Sequence, residues 1–163
     1  MDAVEQGKSL DVRLSKRRVI GVDVELRPHN RKAIEAHPLN HKIRIIEGSS
    51  VDPAIVGLVH QDITPEDTVM VMLDSNHSHD HVLAELECYA PLVSRGSYCV
   101  VFDTIVEDLP AGLYPNRNWD VGNNPKTAVR DFLATTGQHP PVDVNGEQVK
   151  FEVDREIENK LLI

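Results

Sequence analysis

The chain is predicted to be α/β, a Rossmann-like arrangement of mostly parallel strands with helices on both faces. Two observations predict this. Short β-branched runs alternate with helix-like segments along the sequence, and the runs are apolar nearly throughout rather than at every second position. A length of 163 residues adds that one domain suffices to build the core.

The first strand is VIGVDV at residues 19–24. Residues 28–36 read as a helix, because Pro28 stands at its start and Pro38 just past its end. IRIIE at 43–47 is the second strand. Asp52 and Pro53 form an N-cap and first-turn pair, and Ile55, Val56 and Val59 give the short helix after them an apolar face. TVMVML at 68–73 is the third strand. Ser78 is placed to cap the next helix, whose apolar face is Val82, Leu86, Tyr89, Ala90 and Val93. Pro91 kinks or shortens its last turn, and Gly96 ends it. SYCVVF at 97–102 is the fourth strand. A polar, proline-containing loop follows at 103–123. Asn124-Pro125 opens another helix, with Val129, Phe132 and Leu133 inward and Gly137 as its terminating residue. After His139-Pro140-Pro141 come a turn, a short strand at 149–153 and an apolar segment at 160–163.

Lys plus Arg number 17 and Asp plus Glu 26, a net charge of −9. That balance argues against a nucleic-acid partner, which needs a basic footprint, and against an anionic membrane surface. The apolar runs reach about six residues, far short of a transmembrane span. The start MDAVEQGKSL is not a signal peptide. Cys88 and Cys99 form no C-x-x-C pair, so they read as reduced thiols of a cytoplasmic protein.

In a doubly wound sheet, ligands bind at the carboxyl ends of the strands. The residues found there are Asp23 and Glu25, then Gly48-Ser49-Ser50, then Asp74-Ser75-Asn76-His77, then Asp103-Thr104. Asp23 stands where a carboxylate takes a ribose diol, or else caps the helix at Pro28. Asp74 and Asp103 leave neighbouring strands, and two such carboxylates repel unless they share a proton or a cation. All-oxygen ligation suits Mg²⁺ or Mn²⁺. His77, His79 and His81 are a weak zinc signal without the Glu of H-E-x-x-H, and His77 reads as an acid–base or substrate-facing group. Gly7-Lys8-Ser9 lacks the upstream glycine of a P-loop, and the sequence contains no G-x-G.

Several ordered motifs carry a resemblance. VIGVDVELRPHNR at 19–31, IEGSS at 46–50, LDSNHSHDHVLAEL at 73–86, YAPLVSRGSY at 89–98, VVFDT at 100–104 and GNNPKTAV at 122–129 are similar to the cephalosporin hydroxylase / rhamnosyl O-methyltransferase family. The resemblance runs from about Val19 to Ile163. It implies a methyltransferase fold and methyl transfer from S-adenosylmethionine to a hydroxyl of a sugar, lipid or antibiotic-like small molecule. It implies that Asp23 binds the donor's ribose, that Gly48, Ser49 and Ser50 lie near the adenine, and that Asp74 and Asp103 hold Mg²⁺ or Mn²⁺. Phe102 stands where some members have a third acidic ligand, which leaves Thr104 or water for that place. Asp74 and His77 are then the catalytic pair, with His77 as proton acceptor.

The resemblance also implies a first strand and a glycine-rich donor loop ahead of Val19, which residues 1–18 do not match. The expected organisation is a poorly structured segment at 1–18 and a partial methyltransferase-like domain at 19–163, with its first β-α unit missing or degraded. Such a chain is expected to bind the donor weakly and to self-associate as a homo-oligomer through strand edges. The competing reading is an inactive remnant that folds without binding the donor. A metal-dependent hydrolase ranks last, since no nucleophile or oxyanion site can be named.

Overall fold

The computed structural model of the protein describes residues 15–157. The apolar run at 160–163, the Gly7-Lys8-Ser9 triplet and residues 1–14 of the N-terminal segment lie outside the described residues. The chain divides into two compact units, between Ile55 and Val56.

In the first unit β1 (Val19–Asp23) and β2 (Ile43–Glu47) pair in parallel, with Val19 opposite Ile43 and Asp23 opposite Glu47. Their β-branched side chains are stiff about χ1 and favour extended backbone. Gly21 packs closely on the neighbouring strand, since a Cβ there would lie 2.9 Å from Ile45 Cδ1 and that methyl would have to shift. Between the strands, α1 (Pro28–Glu35) opens on Pro28 and buries none of its residues. Among the described residues of this unit, Leu26 and Ile46 are the buried apolar ones. After β2 the chain turns at Gly48, whose φ of +153° brings the backbone against the first turn of α2 (Pro53–Gln61). A Cβ on Gly48 would come within 2.6 Å of Ile55. Asp52 caps α2 through Oδ1, which accepts from Ala54 N at 2.8 Å.

The second unit holds β3 (Val71–Leu73) and β4 (Cys99–Val101), again parallel, with Val71 opposite Cys99 and Leu73 opposite Val101. Both are shorter than the runs that predict them. Residues 68–70 miss the ladder because the Ser94 hydroxyl accepts from Val69 N and Ser94 N donates to Val69 O. The described strands therefore make two two-stranded parallel sheets, where the sequence predicts one larger sheet. Each pairing closes within its own unit.

Between β3 and β4 runs α3 (His79–Tyr89), followed by a 3-10 turn at Ala90–Leu92 that accommodates Pro91. The whole predicted face, Val82, Leu86, Tyr89, Ala90 and Val93, is buried. Ser78 stands at the N-cap but makes no side-chain capping bond; its own N–H donates to Asn76 Oδ1 at 2.9 Å.

The last helix, α4 (Pro125–Gln138), packs on α3 and on a 3-10 turn at Thr104–Asp108. Its buried stripe is Pro125, Ala128, Phe132 and Thr136, one position off the predicted Val129 and Leu133. Thr136 enters the core because its hydroxyl donates to Phe132 O at 2.7 Å. Gly137 does not end the helix, which continues through Gln138 to its C-cap at His139. Nor do residues 149–153 form a strand. Val149 N donates to Pro141 O, Val142 bridges Gln148, and Asp143 Oδ1 takes the N–H groups of Asn145 and Glu147, so the polar turn uses the bonds a strand would need.

Asn124 caps α4 and is fully buried. Its Oδ1 accepts from Lys126 N and Thr127 N, and Thr127 Oγ1 accepts from Asn124 N in return. Its amide donates to Glu107 Oε2 and to Asp120 O at 3.0 Å. Loss of a cap costs about 1 kcal/mol, and loss of a hydrogen bond to a charged group about 1.5–3 kcal/mol. Urea unfolding of Asn124→Ala should therefore show a loss of roughly 2–4 kcal/mol; a loss below about 0.5 kcal/mol, the scale of an ordinary surface change, contradicts this role.

Candidate functional site

Parallel pairing of β3 with β4 carries the residues that leave them to one edge. Asp74 follows β3, and Asp103 follows β4. His77 stands between β3 and α3, with Nε2 at 3.1 Å from Asp103 Oδ2 and 3.7 Å from Asp74 Oδ1. One donor atom from each of Asp74, His77 and Asp103 lies within 4.8 Å of the other two.

Asp103 is the one described non-glycine residue with positive φ, at φ 55° and ψ 25°. Aspartate tolerates this left-handed region better than most residues, and backbone strain of this kind gathers at functional sites. Here Asp103, two residues past the end of β4 at Val101, is the N-cap of the 3-10 turn that begins at Thr104, so the carboxylate stays near the strand end.

Two carboxylates this close repel, and a positive charge between them relieves the repulsion. A protonated imidazole does so, and so does a divalent ion. His77 Nδ1 is buried without a hydrogen-bond partner, which leaves Nε2 as the nitrogen that meets the acids. The candidate donors brought together are two carboxylate oxygens and one imidazole nitrogen, where the sequence suggests an all-oxygen set. Mn²⁺ suits such a mixture well, while Mg²⁺ draws mainly on the oxygens.

The three histidines do not form a site of their own. His79 donates its backbone N–H to Asn123 Oδ1 at 2.8 Å, its ring meets Thr127 Oγ1 at 2.8 Å, and Nε2 lies 3.5 Å from Asp131. His81 Nε2 lies 3.6 Å from Glu85 Oε1. Glu85 is buried, and the same oxygen accepts from Ser75 Oγ at 2.7 Å, which braces the turn after Asp74.

Beside the acids lies a cavity of about 210 Å³, walled by His77, Asp103, Leu109, Tyr114, Arg117 and Trp119 among others. The Trp119 ring stands 5.3 Å from His77 and 5.2 Å from Tyr114, with the Arg117 guanidinium 5.8 Å from its centroid. Sequence reasoning leaves this stretch as a polar loop. The run YPNRNW at 114–119, which contains the chain's single tryptophan, was the signal available.

Glu107 closes the loop at its base. It accepts from Gly122 N at 2.8 Å and from the Asn124 amide, and it pairs with Arg130 at 3.3 Å. The Gly122 and Asn124 hydrogen bonds hold its carboxyl below the usual glutamate value, against a smaller opposing effect of desolvation.

In the first unit, Asp23 and Glu47 end neighbouring strands. Asp23 is exposed, and its Oδ1 accepts from Glu25 N at 3.1 Å. Glu47 is paired with Arg31 at 2.6 Å. Gly48 N donates to Asp23 O, and Ser49 O accepts from Asp52 N, so the Gly48-Ser49-Ser50 turn adjoins Asp23. The thiols of Cys88 and Cys99 are free, and burial pushes Cys99 up to about 12, which makes it unreactive near neutral pH. Among the described residues no helix is long and apolar enough to cross a membrane.

Short parallel strand pairs with helices define a mixed α/β protein, and the acids, the three-donor cluster and the small cavity lie at one strand edge. The particular family follows from comparison. The family model described as rhamnosyl O-methyltransferase/CmcI matches residues 6–163, and the chain belongs to that family. Proteins named rhamnosyl O-methyltransferase from Mycobacterium tuberculosis (strain H37Rv) and Mycobacterium bovis (strain BCG / Pasteur 1173P2) are each 40% identical to it over 70 residues. That segment is 42% of this chain and 28% of each relative, so the match spans little more than a quarter of their length. No solved structure matches the chain.

A depressed carboxyl makes stability depend on pH in a known direction. Glu107 is harder to protonate folded than unfolded, so its contribution is complete above its ordinary value of 4.5 and is lost as pH falls through the lower folded value. Denaturation measured from pH 7 down to about 3 should show Glu107→Gln less stable than the parent at neutral pH, with the gap closing below about 4.5. A gap that stays constant across that range contradicts the assignment.

Proposed function

We propose that the protein transfers a methyl group from S-adenosylmethionine to a hydroxyl of a sugar, or of a lipid or antibiotic-like molecule that carries one, with the help of Mg²⁺ or Mn²⁺. The observation that carries this reading is the Asp74–His77–Asp103 cluster at the β3–β4 edge of a chain from this family. The named activity of the mycobacterial relatives supplies the acceptor class.

Asp23, Gly48, Ser49 and Ser50 are the residues that would hold the donor. Asp23 Oδ1 already serves Glu25 N, which leaves Oδ2 for a ribose hydroxyl. Asp74, His77 and Asp103 would hold the cation. Thr104, the first residue of the turn after Asp103, is the further candidate named by the sequence. A bound divalent ion acidifies a hydroxyl oxygen, and the donor supplies an electrophilic methyl. His77 Nε2 cannot both ligate and take a proton. Because Nδ1 is buried, we assign His77 to ligation and the hydroxyl proton to Asp74, the more exposed carboxylate at 61% against 46% for Asp103. Free thiols suit a cytoplasmic setting.

One observation favours a second reading, a folded remnant that self-associates and does not bind the donor. Each described strand has a single ladder partner, so strand edges remain for pairing. Calorimetry with S-adenosylhomocysteine separates the two. The enzymatic reading expects saturable binding that Asp23→Ala weakens by about 1.5–3 kcal/mol, roughly 10- to 150-fold. It also expects turnover of a rhamnoside acceptor that EDTA abolishes and Asp103→Asn lowers about 10- to 100-fold. Absence of binding by the purified chain, or turnover indifferent to EDTA and to Asp103→Asn, overturns it.

A further inference from the structure

The cavity beside the cluster is unusual in its walls. One side is aromatic, formed by Tyr114 and by Trp119, whose rings lie 5.2 Å apart at 59°. His77, whose ring stands 5.3 Å from Trp119, and Asp103 adjoin these rings in the lining. Arg117 stands at the same wall, 5.8 Å from the Trp119 centroid, with donors and no acceptor. We infer that Tyr114, Arg117 and Trp119 form the acceptor subsite, and that it admits one sugar ring with its C–H face on Trp119 and its hydroxyl edge toward His77 and Asp103. This rests on the methyl-transfer reading above and adds which residues select the acceptor.

Three features carry it. The volume, about 210 Å³, is below the roughly 300–1,000 Å³ of sites for drug-sized ligands, so a single ring enters and the rest of the acceptor stays outside. Aromatic rings set beside His77, Asp103 and Arg117 ask for a ligand with one apolar face and one polar edge. A pyranose has both, whereas a flat hydrocarbon ring leaves His77, Asp103 and Arg117 without partners. The wall is also built in advance. Arg117 N donates to Tyr114 O at 3.0 Å, Asp120 Oδ2 accepts from Gly112 N at 2.7 Å, and the Asn123 amide donates to Asn118 O at 2.8 Å. These bonds order the loop before any ligand arrives, which lowers the entropy cost of binding.

The test measures binding without the methyl donor, so it reads out even if transfer fails. Methyl α-L-rhamnopyranoside is titrated into the Mg²⁺-loaded chain, followed by saturation-transfer NMR and by fluorescence of Trp119, the only tryptophan. The inference expects saturable binding, a weakening of about 3- to 10-fold in Trp119→Ala, and near-parental affinity in Trp119→Phe. Tyr114→Ala, on an exposed side chain, should weaken binding in the same direction and guards against a folding defect in the first variant. Cyclohexanol, a ring of similar size with one hydroxyl, should not compete. Equal affinity of parent, Trp119→Ala and Tyr114→Ala overturns the inference, as does competition by cyclohexanol or absence of rhamnoside binding to the parent. Methyl transfer with an unchanged acceptor KM in Trp119→Ala would overturn the subsite and leave the proposed reaction standing.

Discussion

The side chain of Asn124 is bonded through both ends of its amide, and the geometry around the acid cluster depends on those bonds. Its oxygen caps α4; its nitrogen holds Glu107 and the carbonyl of Asp120. Through Glu107 it fixes the 3-10 turn that begins at Thr104, directly after Asp103. Through Asp120 it fixes the end of the loop, where the preceding residue, Trp119, lies against His77. The neighbouring residues extend the same knot, because Asn123 accepts from His79 N and Thr127 meets the His79 ring. The start of α3, and so the turn that carries His77, is tied to the start of α4. A wholly buried amide left partly unbonded costs as much as several surface contacts supply, which is why this node governs the positions of groups that do not touch it.

The second constraint is electrostatic. Parallel pairing of β3 and β4 leaves two carboxylates at one edge, and the left-handed backbone at Asp103 keeps them there. The strain and the repulsion both oppose folding, and neither helps the core. The edge is braced from behind by Glu85 through Ser75, and the proposed cation site is built on it. His77 Nε2 stands between the two acids, 3.1 Å from Asp103 and 3.7 Å from Asp74.

Much of this was legible in the sequence. The spacing of Val82, Leu86, Tyr89, Ala90 and Val93 named a buried face that the structure reproduces, and the acids were found by asking what leaves each strand. Asn124-Pro125 announced a helix start for the right physical reason. What failed did so where tertiary bonds override local pattern. Ser94 takes the backbone groups of Val69 that would have lengthened β3. Gly137 permits a left-handed turn but does not compel one, and the helix runs past it. The strand expected at 149–153 yields to the Asp143 turn. The 103–123 loop was unreadable because its order comes from Glu107, Asp120 and Asn124 bonding across many residues, which no periodicity records. The family resemblance left Thr104 or water for the third place, and folding also brings His77 to both acids.

The central claim is that Asp74, His77 and Asp103 bind one divalent cation. A crystal of the full chain grown or soaked with Mn²⁺, with data collected to locate its anomalous scattering, tests it directly. The account predicts a single strong peak bonded to a carboxylate oxygen of Asp74, a carboxylate oxygen of Asp103 and Nε2 of His77, at about 2.2 Å. No peak there at saturating Mn²⁺, or a peak on His79 and Asp131 instead, would contradict it.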